Sequence, residues 1–343
     1  MKQQVNAASI VPLEWPSSGP TPAEVMRDAV AAASLAPSAH NTQPWRFKII
    51  GTALELYADT TRHLEVIDAG RRQLFQSCGC ALFNARVAVR AAGYADEVIV
   101  ALGDAPAARV ATLRLGAPRA ATALDRELLA AIPERRTNRR EFLRRPVAWD
   151  VTERLCAAAG AEGATVLRLD PPQKRALGEL IDRADRKQFD DPAFRAELSR
   201  WLTTFGSQRQ DGIPFVEKEY GSALPFSVVR ALRSPHLGAD IGAIEHDHIL
   251  SAPVVLAFGT GTDAPVDWLA CGQALEAILL HATALGLSAS FLNQVLEVPE
   301  LRQHVVELIP GIGYPQMILR LGVPAEPVHH AAPRRAVDEM IER

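Results

Sequence analysis

Two long stretches of this chain can be laid over each other without a gap, and that repeat limits its possible folds more than any other feature. Cys78-Gly79, Ala81-Leu82, Ala91 and Gly93 coincide with Cys271-Gly272, Ala274-Leu275, Ala284 and Gly286 at a constant offset of 193 residues. Each stretch reads as a helix, over about 70–92 and 266–285, stopping at a glycine suited to a left-handed cap. Alanine and leucine recur in any helix. Two matched glycines within a repeating order of elements nevertheless point to an internal duplication.

The elements around the repeat alternate between helix and strand. Ala23 to Leu35 has helical periodicity, Arg46–Ile50 and Leu54–Ala58 read as a hairpin, and strands Val98–Leu102 and Val110–Leu115 follow the first long helix. The order then restarts with helix Val151–Ala159 and strand Thr165–Leu169. Helices Pro172–Arg186 and Pro192–Leu202, strand Val254–Gly259, the second long helix and strand Pro315–Leu321 complete it. Ile99, Leu102 and Gly103 are set opposite Ile318, Leu321 and Gly322. The expected organisation is a proline-rich arm over 1–21, a first half over 22–120, a second half over 121–335 and a tail over 336–343. An insertion at about 188–248 has no counterpart in the first half, and its glycines, prolines and aromatics read as a lid.

The two halves differ where chemistry would sit. The first carries Ala36-Pro37-Ser38-Ala39-His40-Asn41-Thr42-Gln43-Pro44-Trp45 between helix and strand. Ser38, Asn41 and Gln43 offer hydrogen-bonding groups while the prolines fix the backbone, so the segment can hold a flat polar ligand. An ordinary connection whose polar side chains satisfy their own backbone is the commoner fate of such residues. The equivalent place in the second half, 159–164, has no amide side chains. That half instead opens with Arg135-Arg136-Thr137-Asn138-Arg139-Arg140. In an extended backbone Arg135, Thr137 and Arg139 point to one side and suit a phosphate; the alternative is a solvated basic turn. A second pair, Arg334-Arg335, can meet the first or lie in a solvated tail.

Composition narrows the partners. With 343 residues, 48% hydrophobic and 22% charged, the chain is globular, and a net charge of −3 gives no field to recruit nucleic acid or an anionic membrane. Any anion is therefore held by local arginines. The four cysteines lack zinc or thioredoxin spacing, and Cys78 and Cys271 read as packing residues. Neither a signal-peptide core nor a run of ~18 apolar residues is present, so a cytoplasmic protein is expected. Glu245-His246-Asp247-His248 puts both histidines on one face of a strand. With no third ligand they read as surface or lid-anchoring groups, and no metal is expected. No Walker loop and no GxSxG elbow occurs.

The Pro37-Ser38-x-x-Asn41-x-Gln43-Pro44-Trp45 segment, the Arg135-Arg136-Thr137-x-Arg139 segment, Leu285-Gly286-Leu287-Ser288 and Arg334-Arg335 together resemble the FMN-dependent nitroreductase family. More specifically, the chain is similar to its single-chain, Acg-like branch, in which two nitroreductase-like halves form a pseudo-dimer. The resemblance implies an α+β three-layer sandwich with one FMN between the halves. Arg135, Thr137 and Arg139 would hold the phosphate or polar edge of the flavin, with Arg334 or Arg335 completing the phosphate site. Pro37, Ser38 and Asn41 would meet the flavin from the other half, with Gln73 beside them. Phe291, Leu292 and Asn293 match the backbone segment that approaches the reactive edge of the ring. The implied activity is ping-pong hydride transfer from NAD(P)H to a nitroaromatic or quinone acceptor, by a monomer acting as a pseudo-dimer, with no catalytic side chain required. A non-catalytic flavin-storage or flavin-sequestering role is the alternative. The family's Arg-x-Ser-x-Arg-x-Phe spacing is stretched here to Arg139-Arg140-Glu141-Phe142.

Overall fold

The computed structural model describes residues 20–102, 109–203, 207–214, 237–326 and 331–342. The chain opens with α1 (Pro22–Ser34), nucleated by a Thr21/Glu24 capping box with proline at the first turn. Then come the hairpin β1 (Trp45–Ile50) and β2 (Ala53–Ala58), the long helix α2 (Arg72–Ala91), β3 (Tyr94–Val100) and β4 (Arg109–Pro118). The carboxylate of Asp68 caps α2, accepting from the backbone N–H groups of Gln73 and Leu74 at 2.9 Å each. Next are α3 (Ala123–Glu134), α4 (Trp149–Gly160), β5 (Thr165–Arg168), α5 (Pro171–Asp190) and α6 (Pro192–Trp201). Short strands β6 (Leu202–Thr203) and β7 (Ile213–Pro214) precede α7 (Leu237–Ser251), β8 (Val254–Thr260) and the second long helix, α8 (Pro265–Ala284). The chain finishes with β9 (Ser288–Phe291), α9 (Gln294–Glu297), α10 (Pro299–Leu308), β10 (Tyr314–Gly322) and α11 (Val337–Met340).

The duplication is written into the sheets. One runs β1-β2-β4-β3 and the other β5-β8-β10-β9, all neighbours antiparallel, so both halves share one strand order. Between the sheets, α2 packs directly on α8. The matched glycines explain how closely. A Cβ built on Gly79 would fall 2.2 Å from the Leu269 carbonyl oxygen and 2.9 Å from the Cα of Gly272; one on Gly272 would fall 2.0 Å from the Gln76 carbonyl oxygen. Only glycine allows the two backbones this approach. Cys78, Cys80 and Cys271 are buried free thiols along the same seam. One continuous apolar core takes in Val30, Phe47, Leu82, Leu256, Ile278 and Leu319, contributed by both halves, so the fold is an intramolecular pseudo-dimer.

The strand match drawn from sequence needs correction. The strand directly after α8 is β9, with α9 and α10 inserted before β10; β10 occupies the sheet position of β4, not of β3. Ile318 is therefore the counterpart of a β4 residue, and Gly103 lies outside the described residues. Glu245 to His248 sit within α7, not on a strand, so His246 and His248 do not share a face. Among the described residues no cluster of three or more potential metal ligands occurs. No helix among them is long and apolar enough to cross a membrane. Part of the proposed lid, 204–206 and 215–236 with Phe205, Phe215, Tyr220 and Phe226, lies outside the described residues, as does nearly all of the 1–21 arm.

The segments that join the halves cross over. After α3, the chain pairs with the second sheet through a Thr137–Ala289 bridge and a Phe142–Pro324 bridge. After β10, the tail returns to the first sheet, where Ile341 pairs with Phe47 and the Glu342 N–H donates to the Phe47 carbonyl at 2.7 Å.

Candidate functional site

The Pro37 to Trp45 segment is held in an unusual backbone state. His40, Asn41 and Gln43 all take positive φ, of 48°, 53° and 49°. Left-handed backbone disfavours residues other than glycine, and strain at three of four consecutive positions is characteristic of binding sites. Local hydrogen bonds sustain it: the Ser38 hydroxyl accepts from the Gln43 N–H at 2.9 Å, and the Asn41 N–H donates to the Ser38 carbonyl at 2.9 Å.

The tail meets this segment. Arg334 Nη1 donates to Asn41 Oδ1 at 2.9 Å, and its Nη2 donates to the Leu35 and Ala36 carbonyls at 3.2 Å each, just past the C-terminus of α1. A cation there is favoured by the helix dipole. The Asn41 amide donates at 3.0 Å to the carbonyls of both Pro333 and Gly212. Gln43 is fully buried; it donates to the Gln210 carbonyl at 2.8 Å and accepts from the Arg335 N–H at 2.9 Å. Residues 210–212 and 333–335 thus cover the segment from two directions, and an Arg62–Asp211 ion pair fastens the first of these covers.

The arginine segment approaches from the opposite half. Arg135 ends α3 and is buried, with Nε 3.9 Å from Glu276 Oε1 on α8. Its Nε and Nη1 have no hydrogen-bond partner, nor do Asn138 Nδ2, Arg334 Nε and both oxygens of Glu276. Burial lowers the pKa of Arg334 to about 9, with the charge of Arg135 adding to the shift. Burial also pushes His40 down to about 4, helped by the Arg139 guanidinium, so this imidazole is neutral at pH 7. Arg139 is therefore close enough to the first half's segment to act on it electrostatically, and Arg135 is close enough to act on Arg334, which holds that segment. Buried guanidinium N–H groups without partners amount to a donor set short of one anion. A phosphate monoester fits that deficit, because guanidinium donates to phosphate in a bidentate manner.

Other residues singled out from sequence go elsewhere. Gln73 donates to Glu297 Oε1 at 2.8 Å, away from the arginines and across the seam between halves. Thr137 is engaged in its bridge to Ala289. The Leu292 side chain is fully buried in the second half's own core. Asn293 Oδ1 accepts from the Ile318 N–H at 3.0 Å and its amide contacts Met317 Sδ, so it locks β10 in place. Phe291 packs against the shared core. The side chains of Leu292 and Asn293 thus stabilise the fold, so it is through its backbone that this segment would meet a ligand. Pro37 sets the turn after α1, and Arg335 lies over Gln43 with Nη1 3.3 Å from its carbonyl.

Glu276 and His40 were not anticipated. A single carboxylate inside the apolar run from Leu269 to Leu280 is the available signal, since a lone acid on an all-buried helix requires a partner. Its repeat equivalent is Phe83, at the same 193-residue offset. There, Arg86 and Arg90 lie 5.6 and 5.5 Å from the Phe83 ring centroid, and Arg86 is fully engaged by Asp96, Glu162 and Gln273. At the Phe83 place Arg86 is therefore satisfied, unlike Arg135 beside Glu276.

The nitroreductase family model matches residues 17–101. A protein of Mycobacterium tuberculosis strain H37Rv, named as an NAD(P)H nitroreductase, is 32% identical over 325 residues, covering 93% of this chain and 92% of its own length. The chain belongs to the nitroreductase family. This nitroreductase is also similar to the NAD(P)H nitroreductase Acg of the same organism, at 29% identity over 329 residues, 92% of this chain and 95% of Acg. Among solved structures, the FMN-dependent nitroreductase NfnB of Mycobacterium smegmatis in complex with NADPH aligns with a TM-score of 0.42 at 17% identity, over 64% of this chain and 99% of its own. An FMN-bound nitroreductase from Bacteroides fragilis aligns with a TM-score of 0.38 at 19% identity, over 61% of this chain and 95% of its own.

Proposed function

We propose that this nitroreductase binds one FMN between its halves and reduces nitroaromatic or quinone-type acceptors with NAD(P)H. The observation that carries the reading is Arg135, buried with Nε and Nη1 unpartnered and near enough to Arg334, the partner of Asn41, for the two charges to interact. Arg135, with Arg334 beside it, holds the phosphate of the cofactor. Arg139 lies near His40 and adds positive charge to the same side. When bound, FMN supplies two-electron hydride chemistry, taken up from the nicotinamide and handed to the acceptor in turn. The protein positions it, keeps water out, and contributes no nucleophile.

Of the two places related by the repeat, Glu276 has the unpartnered Arg135 beside it while Phe83 has Arg86 already paired, so one FMN per chain is the expected stoichiometry. Titration monitored by flavin absorbance checks this, and a value near two would refute the single-site reading. A storage role is the second reading, favoured by the covers formed by Gly212 and Pro333 over Asn41. Anaerobic stopped-flow mixing with NADPH or NADH separates the two: bleaching of bound flavin supports turnover, and its absence supports storage.

The cover itself is testable. Asp211→Ala removes the partner of Arg62 and one anchor of residues 210–212. Loss of one charge-assisted contact worth about 1.4 kcal/mol should speed FMN release roughly tenfold. Fluorescence recovery after dilution measures it, and an unchanged rate would show that residues 210–212 do not limit exit.

A further inference from the structure

We infer that Glu276 couples anion capture to proton uptake: when a phosphate or sulfate occupies the Arg135/Arg334 site, the Glu276 carboxyl takes up one proton. The inference rests on the proposal that this site holds an anionic group. Glu276 lies on α8 with no exposed surface, and neither of its oxygens has a hydrogen-bond partner. Arg135 Nε, 3.9 Å away, is beyond hydrogen-bond length and itself unpartnered. Acid and base therefore face each other without closing a bond, an arrangement that an incoming anion can replace.

The surrounding charges decide the sign. From the α3 terminus comes Arg135, from α2 the Asn84 amide and from the tail Arg334, all favouring the carboxylate; α2 also contributes the thiol of Cys80. Burial holds the Cys80 thiol well above its ordinary range, so it stays neutral. Burial outweighs both arginines and raises the Glu276 carboxyl to about 7. An anion on Arg135 and Arg334 cancels the charges that favour the carboxylate and adds a negative neighbour, which raises Glu276 further. The proton has a destination. Asn84 Nδ2 donates to the Ala32 carbonyl at 3.2 Å, which leaves its buried Oδ1 without a partner and able to accept from a protonated Glu276.

Linkage then requires anion affinity to fall with pH above about 7, by about tenfold per unit for one proton. Sulfate is the primary probe because its charge is constant across this range. Titrate the flavin-free full chain with sulfate from pH 6 to 8.5, and measure proton uptake by calorimetry in two buffers of different ionisation enthalpy. Wild type should take up close to one proton near pH 8. Glu276→Gln should take up none, bind sulfate about tenfold more tightly than wild type at pH 8, and show a flat profile until Arg334 begins to lose its proton. A slope that persists in Glu276→Gln assigns the proton to Arg334 and overturns the inference. So does a wild-type chain that binds sulfate with no proton uptake, a measurement that does not depend on the variant folding. FMN run in parallel above pH 7, where its phosphate is a dianion, distinguishes the two levels. FMN binding without proton uptake refutes the role of Glu276 alone. Proton-coupled sulfate binding without FMN binding refutes the flavin reading alone, and failure of both ligands to bind refutes both.

Discussion

Gly272→Ala should lower the thermal midpoint of this nitroreductase by roughly 5 °C or more, the effect of about 3 kcal/mol of overpacking in a chain of this size. The added methyl would sit 2.0 Å from the Gln76 carbonyl oxygen, a backbone atom that cannot swing aside as a side chain can. Relief requires α2 and α8 to separate, and those helices carry the core shared by both halves. Gly160→Ala is the control. Gly160 ends α4 with an ordinary backbone conformation and nothing within 4 Å of a built Cβ, so its replacement should shift stability by no more than about 0.5 kcal/mol. Calorimetry at a fixed flavin concentration compares them. Equal midpoints for the two variants would mean that the helix crossing is not the tight seam described.

Arg135→Ala should weaken FMN binding by roughly 30-fold to several thousand-fold, corresponding to loss of about 2–5 kcal/mol from a buried, charge-paired contact. Riboflavin provides the internal reference, because it lacks the phosphate that Arg135 is assigned to hold. The affinity advantage of FMN over riboflavin should shrink towards unity in Arg135→Ala and recover only in part in Arg135→Lys, whose ammonium cannot reproduce a two-pronged contact. Flavin fluorescence quenching reports both affinities. If FMN retains its advantage in Arg135→Ala, the phosphate lies elsewhere.

Some of this architecture shows in the sequence because a physical requirement left a residue no alternative. Gly79 and Gly272 are legible, since close backbone approach forbids a Cβ and marks both halves at the same offset. The Asn41–Arg334 contact links residues 293 positions apart, and no local pattern announces it; only the family resemblance paired those segments. Other elements were hidden by their own composition. The four residues of β9 are too short and too small to show alternation, which is how β3 came to be set against β10. Pro133 near the end of α3 masked a helix whose Thr122/Asp125 capping box is otherwise clear. The histidines of α7 look like strand residues in a four-residue window and helical only over the whole of Leu237–Ser251. Glu276 stands out as a lone acid in an apolar run, but its role does not, because that depends on Arg135 and Arg334, which arrive from distant parts of the chain.

The return of the tail to the first sheet sets the timing of assembly on the ribosome. Asn41 emerges early, but Arg334 follows 293 residues later, an interval of about 15–60 s at ordinary rates of synthesis. For that time the outer edge of β1 lacks Ile341, and the left-handed segment from His40 to Gln43 lacks the guanidinium that braces it. The first half therefore waits with an open strand edge, the kind of surface that invites wrong pairing. The proposed flavin site can close only once Arg334 and Ile341 have folded back against the first half.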